Sequence, residues 1–284
     1  MAEHLTVPDM QAGYLDVLDH VIKYGERASP RGMLTYEVLG MSIDVLDTTR
    51  CMPIGMNRGV NTALGVAEAL QLISGTTYPR LLEQIAPTMK KFMDTLGSSP
   101  PYLHGAYGPR VKQAIPNAIA KLQRDSDSRQ AVVTIYDAKI DLISTFNDIP
   151  CTIALHFLLR HDQLDLHTYM RSNDINWGIA YDVFQFTQLQ HTMARCMNVE
   201  AGRYTHHATS LHVYEKDLHA AREVRYPTKL MPAITGIGVH TRNDWHHFRL
   251  IAEGILTGKL QGFVFTPSEQ WMLERMKPYA ERMG

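Results

Sequence analysis

The sequence predicts an α+β protein in which helices pack on one large mixed sheet. Three observations support this. Two apolar runs at 152–159 and 163–170 alternate with period two across a short polar turn, the mark of a β-hairpin. Apolar residues recur at helical spacing over 9–24 and 61–73. No segment restarts as an independent unit, so residues 1–284 are expected to form a single domain.

Each element has its own signal. Met10, Tyr14, Val17, Leu18, Val21 and Ile22 share one face of a helix around Asp9–Tyr24. "SPRGMLTYEVLG" at 29–40 reads as a turn entering a strand. Leu64, Ala67, Leu70 and Ile73 place a second helix around Asn61–Ile73, ending near Ser74-Gly75. "SSPPYLHGAYGP" at 98–109 is a breaker-rich loop, and "QAVVTIYD" at 130–137 a strand. In the hairpin, Ile153, Leu155, Phe157 and Leu159 are expected on one face, and Leu164, Leu166 and Met170 on one face of its partner. A helix over Asp182–Met197, a strand near 203–214 and a late strand "LQGFVFT" at 260–266 complete the pattern.

Composition narrows the function. Net charge is −1, with 20% charged and 45% apolar residues, which argues against broad electrostatic binding of nucleic acid. "MAEHLTVPDM" lacks a basic region followed by an apolar run, and no apolar stretch reaches the length of a membrane span. Cys51, Cys151 and Cys196 have no zinc-type spacing, so free thiols in a reducing cytoplasm are expected. "THH" at 205–207 and "WHH" at 245–247 can be metal ligands or surface and core histidines, and no metal site is assigned.

Several residues could carry chemistry. Cys151 follows Pro150 at a strand head, as either a small buried hydrophobe or a nucleophile whose pKa nearby cations would lower. Arg31, Arg129 and Arg171 lie at strand ends, where three guanidinium forks would suit a phosphate or be unrelated surface groups. "MRSNDINWGIAYD", 170–182, gathers a cation, an amide and two carboxylates within a dozen residues.

In order and separation, "SPRGMLTYEVLG", "TTRC" (48–51), "AEALQLISG" (67–75), "GAYG" (105–108), "DSRQ" (127–130), "IPC", "RSNDINWG" and "SLHVY" resemble the thymidylate synthase family over most of the chain. The resemblance implies a homodimer using 5,10-methylenetetrahydrofolate as co-substrate. It casts Cys151 as the nucleophile adding to C6 of a pyrimidine nucleotide, and Glu68 as the group that orders water and moves protons. Tyr107 stands for the tyrosine near the C5 proton. Arg31, Arg171 and Ser172 are the implied phosphate ligands, with Arg129 donated by the partner subunit. His212 and Tyr214 match the pair on the sugar hydroxyl, and Asp174 the aspartate on the folate pterin. Gln130 stands where the family carries a second adjacent arginine.

Two further departures concern the substrate and the product. In uracil-specific members an asparagine eight residues after the motif aspartate reads the base; counting from Asp174 reaches Asp182. An ionised carboxylate only accepts, which suits the cytosine amino group and opposes uracil O4. Asp182 is therefore the expected base reader and acid, with a helix N-cap as the alternative, and Asn173 a second base contact, as in the similar deoxycytidylate hydroxymethylase branch. "FMDTL" places Met93 and Leu96 where classical members carry tryptophans, and the tail "WMLERMKPYAERMG" lacks their short closing sequence. Both suggest that water, rather than hydride, meets the transferred methylene. The expected activity is 5-hydroxymethylation of dCMP or CMP. Its rivals are a dCMP C5-methyltransferase releasing dihydrofolate and a catalytically idle nucleotide- or RNA-binding relative.

Overall fold

The computed structural model describes residues 3–95, 99–143, 145–238, 244–259 and 265–280. The first half contains β1 (His4–Val7), α1 (Met10–Tyr24), β2 (Glu26–Ala28), β3 (Thr35–Val45), α2 (Thr62–Ser74), α3 (Pro79–Ile85), α4 (Tyr107–Val111) and α5 (Ala114–Arg124). The second contains β4 (Val132–Thr134), β5 (Thr152–Arg160), β6 (Gln163–Met170), β7 (Asn173–Asp174), α6 (Ile179–Cys196), β8 (Glu200–Tyr214), α7 (Leu218–Arg222), α8 (Trp245–Thr257) and α9 (Pro267–Ala280).

The strands form one mixed sheet in the order β1-β3-β8-β6-β5-β4, with β2 beside β3 and β7 beside β8. β8 runs antiparallel to β3 but parallel to β6, and the β5–β6 hairpin is antiparallel as its alternation predicts. Helices α1 and α6 pack on this sheet, α2 lies on α6, and α8 and α9 lie on α2. The layering follows from the side chains. Each residue of α6 from Ile179 to Ala194 is buried, its polar ones included. Thr187 and Thr192 bond the carbonyls of Val183 and Gln188, and Gln190 donates to Leu164 O at 2.8 Å, so a fully buried helix carries little unmet polarity.

The helix ends follow local rules. Asp9 caps α1 by accepting from Ala12 N at 2.7 Å, and Asn61 caps α2 by accepting from Leu64 N at 3.1 Å. Gly75, at φ 71°, closes α2 in the left-handed conformation that glycine adopts without strain.

Three expectations need correction. Ile153 does not share a face with Leu155 and Phe157: it is 39% exposed and Thr152 is buried instead. A β-bulge between Thr152 and Ala154 shifts the register, with Ile153 O accepting from both Ile135 N and Tyr136 N. The same irregularity leaves only Val132–Thr134 of the 130–137 segment as strand. Helix α6 begins at Ile179, three residues before Asp182. Residues 260–264 of the expected late strand lie outside the described residues, and Phe265 and Thr266 lead into α9 without strand pairing. Among the described residues, no helix is long and apolar enough to cross a membrane.

Candidate active site

A cavity of about 210 Å³ opens between α2, α4, α6 and the segment entering β5. Glu68 projects from α2, Tyr107 opens α4, Cys151 precedes β5, and Asp182 and Gln185 come from the first turns of α6. Side chains drawn from distant parts of the sequence thus meet around one space. Tyr107 is fixed by stacking on Phe186, with ring centroids 5.9 Å apart. The first turn of α4 packs so tightly that a Cβ at Gly108 would run into the carbonyls of Thr76 and Gln71.

Burial sets the electrostatics. It pushes the Glu68 carboxyl up to about 8, with the Asp182 and Asp148 charges adding to the effect. Burial likewise raises the Tyr107 hydroxyl well above its ordinary value. Cys151 corrects an expectation. Burial lifts its thiol above the ordinary value, and the opposing charges of Arg171 and Arg31 do not reverse the shift. At neutral pH the group is a thiol.

Asp182 is not the helix N-cap that its sequence position allowed, since that position belongs to Gly178. Its side chain turns into the cavity wall, where Oδ2 accepts from Asn173 Nδ2 at 2.7 Å and Oδ1 from Gln185 Nε2 at 3.0 Å. Burial raises this carboxyl to about 7 against those two donors. Behind Asn173 the network continues: its Oδ1 meets His206 Nε2 at 3.1 Å, and His206 Nδ1 meets the Tyr204 hydroxyl at 2.8 Å. Because the Asn173 amide nitrogen is spent on Asp182, its oxygen must accept. His206 therefore carries its proton on Nε2 and accepts from the Tyr204 hydroxyl on Nδ1. Burial drops His206 to about 3, which keeps the ring neutral. A row of donors ends on Asp182.

The arginines divide. Arg171 donates from Nε to Pro150 O at 2.9 Å and from Nη2 to Ile149 O at 3.1 Å, and Nη2 lies 3.8 Å from Cys151 Sγ. It braces the segment that holds the thiol. Arg31 sits at φ 54° on the turn before β3, close enough for its charge to act on Cys151. Arg129 is exposed and does not line its own chain's cavity. The neighbouring Gln130 accepts from Lys121 Nζ at 3.0 Å. Ser172 is half-buried beside Arg171. His212 is buried against Tyr214, with centroids 5.2 Å apart, and its Nδ1 has no partner among the described residues. Asp174 Oδ1 accepts from Asn176 N at 2.7 Å and Trp177 N at 3.3 Å, which shapes the turn that carries Trp177 to the cavity. Met93 packs on the core, whereas Met89 lines the cavity. Leu96 and the end of the tail from 281 lie outside the described residues.

Residues 12–237 match the thymidylate synthase family. The chain belongs to that family. Thymidylate synthase family members use methylenetetrahydrofolate as co-substrate. The chain is 31% identical over 224 residues to the deoxyuridylate hydroxymethyltransferase of Bacillus phage SP01, covering 73% of this chain and 57% of that protein. A deoxyuridylate hydroxymethyltransferase of Pseudomonas phage M6 is 31% identical over 170 residues, covering 57% of this chain and 47% of that one. A putative thymidylate synthase of Methanothermobacter marburgensis is 28% identical over 233 residues, 79% of this chain and 98% of its own. The chain thus spans about half the length of the two phage relatives. Their names carry the hydroxymethyl group of the expectation, but on deoxyuridylate rather than a cytidylate.

Thymidylate synthase resemblance left several cavity residues unnamed: Asp148, Gln185 and Trp177 on its wall, and the supporting pair His206 and Tyr204. Signals existed for some. Gln185 lies three residues after Asp182, the spacing of neighbours on a helix. His206 stood in "THH", where its partners were not visible. Among the described residues, no group of three His, Cys, Asp or Glu side chains is arranged to hold a metal.

Proposed function

We propose that the protein is a folate-dependent one-carbon transferase that hydroxymethylates C5 of a pyrimidine nucleoside monophosphate, with deoxycytidylate favoured. The observation that carries this is Asp182, a buried carboxyl with both oxygens fixed by amide donors beside Cys151 and Glu68.

The cavity fits the co-substrate. Trp177 is 57% exposed at its wall, and Leu72, Leu82, Met89 and Leu103 add apolar surface, a suitable bed for a flat heteroaromatic ring. Asp174 would bond the pterin from the turn below Trp177. When bound, methylenetetrahydrofolate supplies a one-carbon unit at the oxidation level of formaldehyde. The Cys151 thiol gives up its proton to water in the cavity as Sγ adds to C6 of the base, which raises electron density at C5. Asp182 then donates a proton toward N3, accepts from the cytosine amino group, and neutralises charge as the adduct forms. Tyr107 attends the C5 proton, and Glu68 orders water and relays protons. Arg31, Arg171 and Ser172 would hold the phosphate, and His212 and Tyr214 the sugar. Arg129, which lies outside its own chain's cavity, would complete the phosphate site of a second copy in a homodimer.

Two features support hydroxymethyl over methyl: the names of the phage relatives, and Met93 at a position where classical members carry tryptophan. A second reading, deoxyuridylate as substrate, also has an observation behind it. With its carboxyl raised to about 7, Asp182 is partly a neutral acid at physiological pH. The acid has one donor and one acceptor, and exchanging the oxygen that carries the proton suits either base.

The test is direct. The protein is incubated with methylenetetrahydrofolate and, separately, dCMP, CMP and dUMP, and the nucleotides are weighed by mass spectrometry. Hydroxymethyl-dCMP as the main product is expected. Turnover of dUMP alone overturns the cytosine assignment, a methyl product the hydroxymethyl one, and no product from any nucleotide the enzymatic reading.

A further inference from the structure

Asp148 is a third carboxyl on the cavity wall, and the mechanism above gives it no task. It stands three residues before Cys151 in the segment entering β5. Its Oδ2 accepts from Gly105 N at 2.9 Å, two residues before Tyr107. The approach depends on glycine, because a Cβ at Gly105 would lie 2.8 Å from Oδ1. This contact joins the two loops that deliver Tyr107 and Cys151. Among the described residues nothing donates to Oδ1, and Asp148 is part of the cavity lining.

Asp148 acts on the reacting groups. Its charge contributes to the upward shifts of Glu68, Tyr107 and Cys151, so it lies within electrostatic reach of all three. Its own carboxyl is raised by burial, but the Gly105 N–H and the charges of His104 and Arg110 work against that rise. Glu68 and Asp182 reach about 8 and about 7, so near neutral pH the first is mostly and the second partly protonated. Of the three carboxyls, Asp148 is the one within reach of an arginine charge that lowers it, that of Arg110, which itself pairs with Asp141, and the Asp94 charge acts the other way.

We propose that Asp148 is the base that deprotonates the water adding to the transferred methylene, the step that makes the product hydroxymethyl. The proposal rests on the hydroxymethyl reading. After one-carbon transfer the base carries an exocyclic C=CH2 group at C5 and remains bonded through C6 to Cys151. Water oxygen bonds to the CH2 carbon while Asp148 takes the departing proton. The exocyclic π pair moves into C5=C6, the C6–S bond breaks, and the pair leaves on Cys151 as thiolate. A proton passed from Asp148 to that thiolate resets both groups. No oxidant or reductant is consumed.

The test uses Asp148→Asn, which keeps an oxygen to accept from Gly105 N but has no basic site. Wild type and variant are given methylenetetrahydrofolate with C5-tritiated dCMP and dUMP in parallel. Tritium release reports the steps before water addition, and hydroxymethyl nucleotide reports the step itself. Asp148→Asn should release tritium in a single turnover at close to the wild-type rate while steady-state hydroxymethyl formation falls by ~10²-fold, the usual weight of a general base. Retention of wild-type product formation overturns the proposal, as does loss of both readouts by one common factor, which would make Asp148 a brace for the two loops. A second measurement needs the wild-type protein alone. Decay of the covalent adduct, trapped by rapid quench, should slow as pH is lowered; a flat profile overturns the proposal. A methyl product from wild type would instead overturn the reading on which it stands.

Discussion

Asn173 and Asp182, nine residues apart, meet at 2.7 Å between amide nitrogen and carboxylate oxygen inside the cavity wall. The contact is possible because Gly178 lies between them, where a Cβ would come 2.7 Å from Asn173 Nδ2. It fixes the plane of the Asp182 carboxyl before any ligand arrives, which lowers the ordering cost of reading a base.

That preorganisation makes base choice testable. Asp182→Asn restores an amide at the base-reading position and should move the dCMP-to-dUMP ratio of kcat/KM toward uracil by ~10²-fold, in line with about 1–3 kcal/mol for a paired base contact. Competition assays with both nucleotides measure it. Unchanged cytosine preference would remove Asp182 from the recognition scheme.

The same carboxyl should mark the pH dependence of folding. Its folded pKa, about 7, is raised from 3.8, so between these values the folded state holds a proton that the unfolded state has lost. Stability from this group is fully present below the unfolded value and declines as pH rises through the folded one. The difference in Tm between pH 5 and pH 8 should therefore be smaller for Asp182→Asn than for wild type. Equal differences in the two proteins would show that this carboxyl is ionised in the fold.

His206→Phe keeps a ring in the core but leaves Asn173 Oδ1 and the Tyr204 hydroxyl without their partner. Urea denaturation should register a loss of about 1–3 kcal/mol, the cost of a buried polar group left unpaired. With Asn173 free to rotate, KM for the nucleotide should rise more than kcat falls. A stability loss with unchanged kinetics would make the network purely structural.

Inter-subunit complementation tests the dimer and the nucleophile together. Cys151→Ser and Arg129→Ala proteins should each lack turnover, and a Cys151→Ser sample should still bind nucleotide by calorimetry. After unfolding and refolding as an equal mixture, activity should return to about a quarter of wild type, since a mixed symmetric pair keeps one intact site. No recovery would place Arg129 outside the shared phosphate site.

Much of the protein was legible from local pattern. Helices α1 and α2 and the β5–β6 hairpin follow from periodicity, which acts within a few residues, whereas the capping roles of Asp9 and Asn61 were seen in the structure. The spacing of Glu68, Tyr107, Cys151 and Asp182 pointed to one site because a shared family preserves the order of its motifs. Ile153 failed that reading, because a bulge is set by pairing with neighbouring strands and not by the apolar alternation of β5.

What the chain alone determined is which residues stand ready for chemistry: Cys151, Tyr107, several carboxyls and a set of strand-end arginines. What only the tertiary structure decided is their state. Burial lifts the Cys151 thiol further above its ordinary value, raises Glu68 to about 8 and Asp182 to about 7, and keeps His206 a neutral donor aimed at Asn173. The physical reason is that desolvation and partner geometry belong to contacts between segments far apart in sequence, and no window along the chain contains them.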